Sequence, residues 1–161
     1  MLRLCLAILR FCLSAWVGIA IFFVLLIIDL RQSSLFSPDT KFDHPKVLFP
    51  LYYRFELSLL VPALVCAIAT MWNGTLGRGR RIAILLFLLL AAALVTWDLS
   101  TIYPRLDELL NMRTTPLPPE FHELHRMSRW LNQGMLTATA AAALLALIPT
   151  QPKTDSVEGQ G

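Results

Sequence analysis

Four stretches without a single charged residue dominate this chain: Phe11 to Ile28, Leu57 to Gly77, Ile82 to Trp97 and Trp130 to Pro152. Each comes close to the ~17–25 apolar residues that carry a helix across a bilayer core. A soluble core helix of that length would show a charged face. Ile82 to Trp97 is the shortest run, but Leu99, Ile102 and Tyr103 extend it past Asp98, so it spans if that carboxyl lies at the membrane interface. Composition agrees: 56% of the 161 residues are hydrophobic and only 16% charged, outside the usual range of a soluble domain. The expected fold is an all-α membrane protein, a four-helix transmembrane bundle. It forms one domain over 1–150, with helices at about 4–28, 54–73, 82–103 and 119–149, followed by a disordered polar tail at 151–161.

The start of the chain is basic, with Arg3 and Arg10 before an apolar run. That run is long for a secretory signal and ends in Ile27-Ile28-Asp29-Leu30-Arg31 rather than in small residues, so it reads as an uncleaved helix. Cys5, Cys12 and Cys66 fall in or at apolar segments with no disulfide framework or zinc-ligand spacing. They read as small packing residues. The net charge of +3 is scattered over loops and helix ends rather than gathered on one stripe, which argues against nucleic acid as a partner. The expected partners are the lipid bilayer and another membrane protein or a second copy of the chain.

Between the helices, about Asp29 to Tyr53 is rich in Ser, Pro and Asp and is expected to be irregular. Asn73 to Arg81 is expected to be a tight basic turn. After the third helix, Pro104 favours a stop, and Leu106, Leu109, Leu110 and Arg113 have the spacing of a short helix lying on the membrane surface. Pro119-Glu120 suits a first helical turn. Four spans place both termini and the second loop on one side. That side holds Arg3, Arg10, Arg78, Arg80, Arg81 and Lys153, fewer basic residues than the eight opposite. Short loops and the first helix usually set orientation. The dense Arg78-Arg80-Arg81 turn therefore points to cytoplasmic termini, in a bacterial inner membrane. Tyr52, Tyr53, Trp97, Tyr103 and Trp130 are expected as interfacial anchors opposite the termini, Trp72 marks the other boundary, and Trp16 is expected between helices.

The Gly-rich second loop lacks the Lys-Ser/Thr ending and preceding strand of a phosphate cradle. Asn73-Gly74-Thr75 matches a glycosylation acceptor, a short pattern common by chance. Gly134, Ala138, Ala142 and Ala146 recur every four residues, a row that lets backbones approach closely within a bundle. His122 and His125 lie three residues apart, and His44 is on the same side of the membrane. These three are the metal candidates, and ordinary interfacial polar residues are the more economical reading. No cofactor is expected.

His125, Ser128 and Asn132 fall on one face of the last helix as it enters the membrane. An unpaired amide inside hydrocarbon is costly, so this stripe must face protein or a water-filled crevice. Asp29, Glu56 and Asp98 stand at the same end of the other three helices. The six residues are the candidate site, a ring of polar groups suited to binding a cation or passing a proton, although hydrogen bonding of each to loop backbone is the more economical reading. Within it, the candidate partners of the stripe are Asp98 and, on the other helices, Asp29 or Glu56; paired with Asp98, His125 would be protonated, with Ser128 and Asn132 supplying neutral hydrogen bonds.

Leu48-Phe49-Pro50-Leu51-Tyr52-Tyr53, Tyr103-Pro104-Arg105, and Leu124 to Asn132 with Phe121 before it resemble the domain-of-unknown-function family 4149 of transmembrane-protein-205-like proteins. The likeness covers nearly the whole chain and departs from that family in the proline-rich first loop. It implies a four-span helical membrane protein and assigns no reaction; His125, Ser128 and Asn132 look like the family's own pattern. No nucleophile–base pair stands at mid-membrane depth, which argues against an enzyme. The leading expectation is an accessory subunit or a small solute or ion carrier. The other is a membrane redox or metal-binding protein using His122, His125 and His44.

Overall fold

A computed structural model describes residues 2–73, 76–112 and 116–149, apart from the side chains of residues 38, 39, 41, 42 and 73. The chain is an all-α membrane protein with four helical spans, each long and apolar enough to cross a bilayer, and the described residues contain no strand. Helix α1 runs Leu2–Gln32, α2 Pro38–Asn73 and α3 Arg78–Trp97; a π-helical turn, Asp98–Ile102, leads into α4, Tyr103–Asn111, and α5 is Pro119–Leu147. The third span is formed by α3, the π turn and α4 together. Arg113, the Gly74-Thr75 half of the glycosylation pattern and the tail at 151–161 lie outside the described residues.

Each span buries a narrow stripe and turns the rest outward. On α2, Tyr53, Glu56, Leu60, Ala63, Ala67 and Thr70 are buried at alternating steps of three and four along one seam, with Tyr52 and Cys66 buried beside it. The third span has the same spacing through Ile84, Leu88, Ala91, Val95, Asp98 and Ile102. Phe11, Phe22, Leu25, Val65, Leu86 and Leu144 are all exposed and form the apolar belt that lipid covers. Of the small-residue row on α5, Ala138, Ala142 and Ala146 are buried, and a Cβ added at Gly134 would meet the Leu94 side chain at 3.3 Å. The row therefore brings α5 close to the other helices, α3 at Gly134. Trp16 is buried between helices, and Cys12 and Cys66 are free thiols within the same core.

Three expectations about the connections fail, and proline explains two of them. The first loop is only residues 33–37, because the segment read as irregular belongs to α2, with Pro45, Pro50 and Pro62 inside the helix. Helix α1 likewise continues four residues past its expected end. Proline is a weak helix breaker in a membrane, where neighbouring groups satisfy the carbonyls it leaves free. The Ser37 hydroxyl caps the start of α2 by accepting from the Thr40 N–H at 3.2 Å.

Pro104 does not end the third span. The chain widens just before it, and the Tyr103 N–H reaches back five residues to the Asp98 carbonyl. A proline ring clashes with the carbonyl four residues earlier, and a π turn relieves that clash without breaking the helix. The third failure concerns α4, expected on the membrane surface. Its Leu106 and Leu109 are instead buried in a small core with Ile102 and Phe121. Arg105 holds α4 to the start of α5 through both carboxyl oxygens of Glu120, at 2.8 and 3.2 Å.

At the opposite end, arginines close the helix C-termini. Arg81 donates to the carbonyls of Thr70 and Met71 at 2.9 and 2.8 Å. Arg10 donates to Ala146 at 2.7 Å, and Arg80 to Leu145 and Ile148. Cations there complement the negative end of the helix dipole and satisfy carbonyls that have no partner within the helix.

The small-residue row generates one expectation. Ala142→Leu forces an isobutyl group into a fully buried position and should cost about 1–3 kcal/mol, whereas Leu144→Ala, on the lipid face, should be nearly neutral. Thermal unfolding in detergent compares the two; equal tolerance would mean that the row does not carry the packing.

Candidate functional site

The buried seams of α2 and the third span bring Tyr53, Glu56 and Asp98 together, and α5 closes over them. Asp98 is 1% exposed. One of its oxygens, Oδ2, accepts three hydrogen bonds, from the Tyr53 hydroxyl at 2.7 Å, the Ser128 hydroxyl at 3.0 Å and the Asn132 amide at 2.8 Å. The same amide also donates to the Ser128 carbonyl at 2.9 Å, which orients it. Ser128 and Asn132 are four residues apart on α5, so one helical turn presents both to the same oxygen. A carboxyl in an apolar interior is tolerated only with such partners.

The other Asp98 oxygen and both oxygens of Glu56 are buried without a hydrogen-bond partner. Glu56 is 1% exposed, interacts electrostatically with Asp98, and has the Trp16 indole beside it without a hydrogen bond of normal geometry. Among the described residues neither carboxyl forms an ion pair with a Lys, Arg or His.

Beside this cluster lies a cavity of about 430 Å³, bounded by α1, α2, α4 and α5. Tyr53, Ser128 and Asn132 form part of its wall, so the side chains that hold Asp98 also face the cavity. Phe23 and Tyr52 stack in that wall, with ring centroids 4.4 Å apart.

Of the six residues expected in the site, the structure gathers Asp98, Glu56, Ser128 and Asn132. It separates the other two from them. Asp29 is exposed at the end of α1. His125 lies on the cavity wall, its ring stacked on Phe121 at 5.8 Å and 8° rather than bonded to Asp98. One helical turn explains the change of role: Ser128 and Asn132 sit deep enough to reach the carboxyl, and His125 stays at the outer rim with Arg31 and Arg129. The expected His125–Asp98 pair is therefore corrected to Asp98 with Tyr53, Ser128 and Asn132.

The three histidines also differ in setting. His122 is exposed, and His44 and His125 are half-buried on the cavity wall. Among the described residues no three His, Cys, Asp or Glu side chains gather as a metal site.

Tyr53, expected as an interfacial anchor, and Asp98, expected at the membrane edge, are both buried against neighbouring helices. Their positions in the three-four seams are the signal that marks them. No family model, no curated protein and no solved structure matches the chain.

The geometry generates a double-mutant test. Asp98→Asn and Asn132→Ala should be coupled by about 0.5–3 kcal/mol in unfolding free energy, as groups in contact are. Asp98→Asn and His125→Ala should add to within about 0.5 kcal/mol. The reverse pattern would restore the His125–Asp98 pair.

Proposed function

We propose that this chain is a small carrier in which the Asp98–Glu56 pair holds the coupling proton or monovalent cation and the adjoining cavity admits the solute. The observation that carries this is Glu56, a carboxyl buried within the bundle with only the Trp16 indole beside it, no hydrogen bond of normal geometry to either oxygen and a second carboxyl nearby. Two carboxyls taken out of water without a compensating cation carry a penalty of several kcal/mol each, by order of magnitude. A bound positive charge removes much of that penalty, and intramembrane acids are found where protons or ions pass. Tyr53, Ser128 and Asn132 link the two halves, because each touches both Asp98 and the cavity. Kinship with the transmembrane-protein-205-like family is part of the proposal and is supported by the Leu48 to Tyr53 and His125 to Asn132 patterns.

Reaction with dicyclohexylcarbodiimide, which attacks carboxyls in apolar surroundings, tests the pair. Peptide mapping should find the adduct on Glu56 or Asp98 and lose it in Glu56→Gln and Asp98→Asn. Slowing by sodium or lithium at constant pH would identify a metal cation, and slowing by alkaline pH alone a proton. Absence of label from both residues would overturn the reading.

We also propose a bacterial inner-membrane location with both termini cytoplasmic, supported by the short basic turn at Arg78, Arg80 and Arg81. Gly79→Cys should be protected from an impermeant thiol reagent applied outside, and Leu35→Cys, 89% exposed in the first loop, should react. The opposite pattern would invert the topology.

A further inference from the structure

The cavity has a polarity gradient along the bundle axis. At its inner end the wall is apolar, with Ala20, Phe23, Val24 and Leu136. Of the polar groups nearby, Tyr53, Ser128 and Asn132 donate to Asp98, Asn132 also to the Ser128 carbonyl, and Gln133 completes the set. At its outer end stand Arg31, Lys46 and Arg129, with the His44 and His125 imidazoles, against one acid, Asp107. Lys46 is partly engaged by Asp43 at 3.6 Å, and Asp107 accepts from Asn111 at 3.2 Å. Arg31 and Arg129 form no ion pair with a carboxylate among the described residues, although both lie close enough to act on His125. His44 Nδ1 is a buried nitrogen without a hydrogen-bond partner. The outer end is thus rich in cationic donors, with Asp107 its one carboxylate, above a largely apolar slot.

The dimensions restrict what fits. From Ala20 to Arg31, α1 rises about 16 Å. A volume of about 430 Å³ over that length leaves room for an extended alkyl chain at carbon contact distances of about 4 Å. The volume is also within the range of small-ligand pockets, about 300–1,000 Å³.

We propose that the cavity binds a single-chain amphiphilic anion, with its alkyl tail between α1 and α5 and its carboxylate or phosphate head between Arg31 and Arg129. Guanidinium groups hold such heads with paired, charge-assisted hydrogen bonds, and His44 and His125 supply further donors or acceptors at the rim. Arg31 comes from the end of α1 and Arg129 from α5, so the bound head bridges two helices at the mouth of the cavity. The inference names the solute of the carrier proposed above and rests on that reading.

Binding to the purified full chain in non-ionic detergent tests it, with radiolabelled palmitate as the probe. Palmitate should bind saturably at one per chain, and hexadecanol, with the same tail and no charge, should bind about tenfold more weakly or worse. The Arg31→Gln/Arg129→Gln double variant alters only exposed side chains and should reduce palmitate affinity about tenfold. Ile27→Trp and, from the opposite wall, Leu110→Trp should block the slot; either one that elutes as a monodisperse, helical protein suffices. Lysophosphatidate should compete as palmitate does.

Equal binding of hexadecanol, or palmitate binding unchanged in the arginine variant, would overturn the proposal. Competition by two-chain phosphatidylglycerol as strong as by lysophosphatidate would also overturn it, and would assign the cavity to bulk lipid. Failure here with carbodiimide labelling of Glu56 or Asp98 intact would remove the amphiphile alone. Failure of the labelling with palmitate binding intact would remove the acid pair and leave a lipid-binding protein.

Discussion

Placing a carboxyl where water cannot follow it obliges the surrounding chain to bring donors to it, and Asp98 imposes that obligation on three segments at once. Tyr53 comes from α2, Ser128 and Asn132 from α5, and the carboxyl itself from the first residue of the π turn. The rotation of each helix about its own axis follows, since apolar packing in lipid does little to distinguish one face from another. A rotation of α5 by one position would withdraw both of its donors. The alanine row sets how near α5 can come, and the hydrogen bonds to Asp98 set which way it faces.

The π turn serves the same arrangement. With Pro104 six residues after Asp98, an unbroken α-helix would have to accommodate the proline ring against the preceding turn. The wider turn takes up that strain and lets α4 continue in the same span, where Leu106 and Leu109 pack on Phe121. Irregular helical turns of this kind recur at functional sites, where they re-aim side chains without ending the helix. Here the turn begins at the one acid in the third span's buried seam.

Much of this was legible in the amino-acid order, and the failures have physical causes. The four spans show themselves because lipid exposure demands long runs without charge. The Ser128–Asn132 pair shows itself because polar residues one turn apart inside a membrane need a shared partner. The burial of Asp98 was harder to see because it follows Trp97 and precedes Tyr103-Pro104, neighbours that look like a membrane boundary. The spacing from Ile84 through Val95 to Asp98 and Ile102, which carries it into the core, was the stronger signal. The segment before Tyr53 was misread because prolines disfavour helices in water far more than in a membrane. Tyr53 itself was taken for an anchor, since a tyrosine near a span's end is commonly that; only Glu56 one turn later, in the same seam, distinguishes it.

The order in which the helices leave the ribosome gives the Asp98 cluster a consequence for assembly. Tyr53 is already in place when the third span is made, but Ser128 and Asn132 lie some thirty residues further along. Until α5 arrives, the third span carries a carboxyl with one of its three donors, and an acid in a span costs more the deeper it lies, up to about 3 kcal/mol at the centre. The last helix therefore completes the insertion of the one before it. Arg10 and Arg80, on spans made earlier, then receive the carbonyls at the end of α5. A nascent chain cut short before α5 lacks both fastenings, and its third span is the element that membrane quality control would find incomplete.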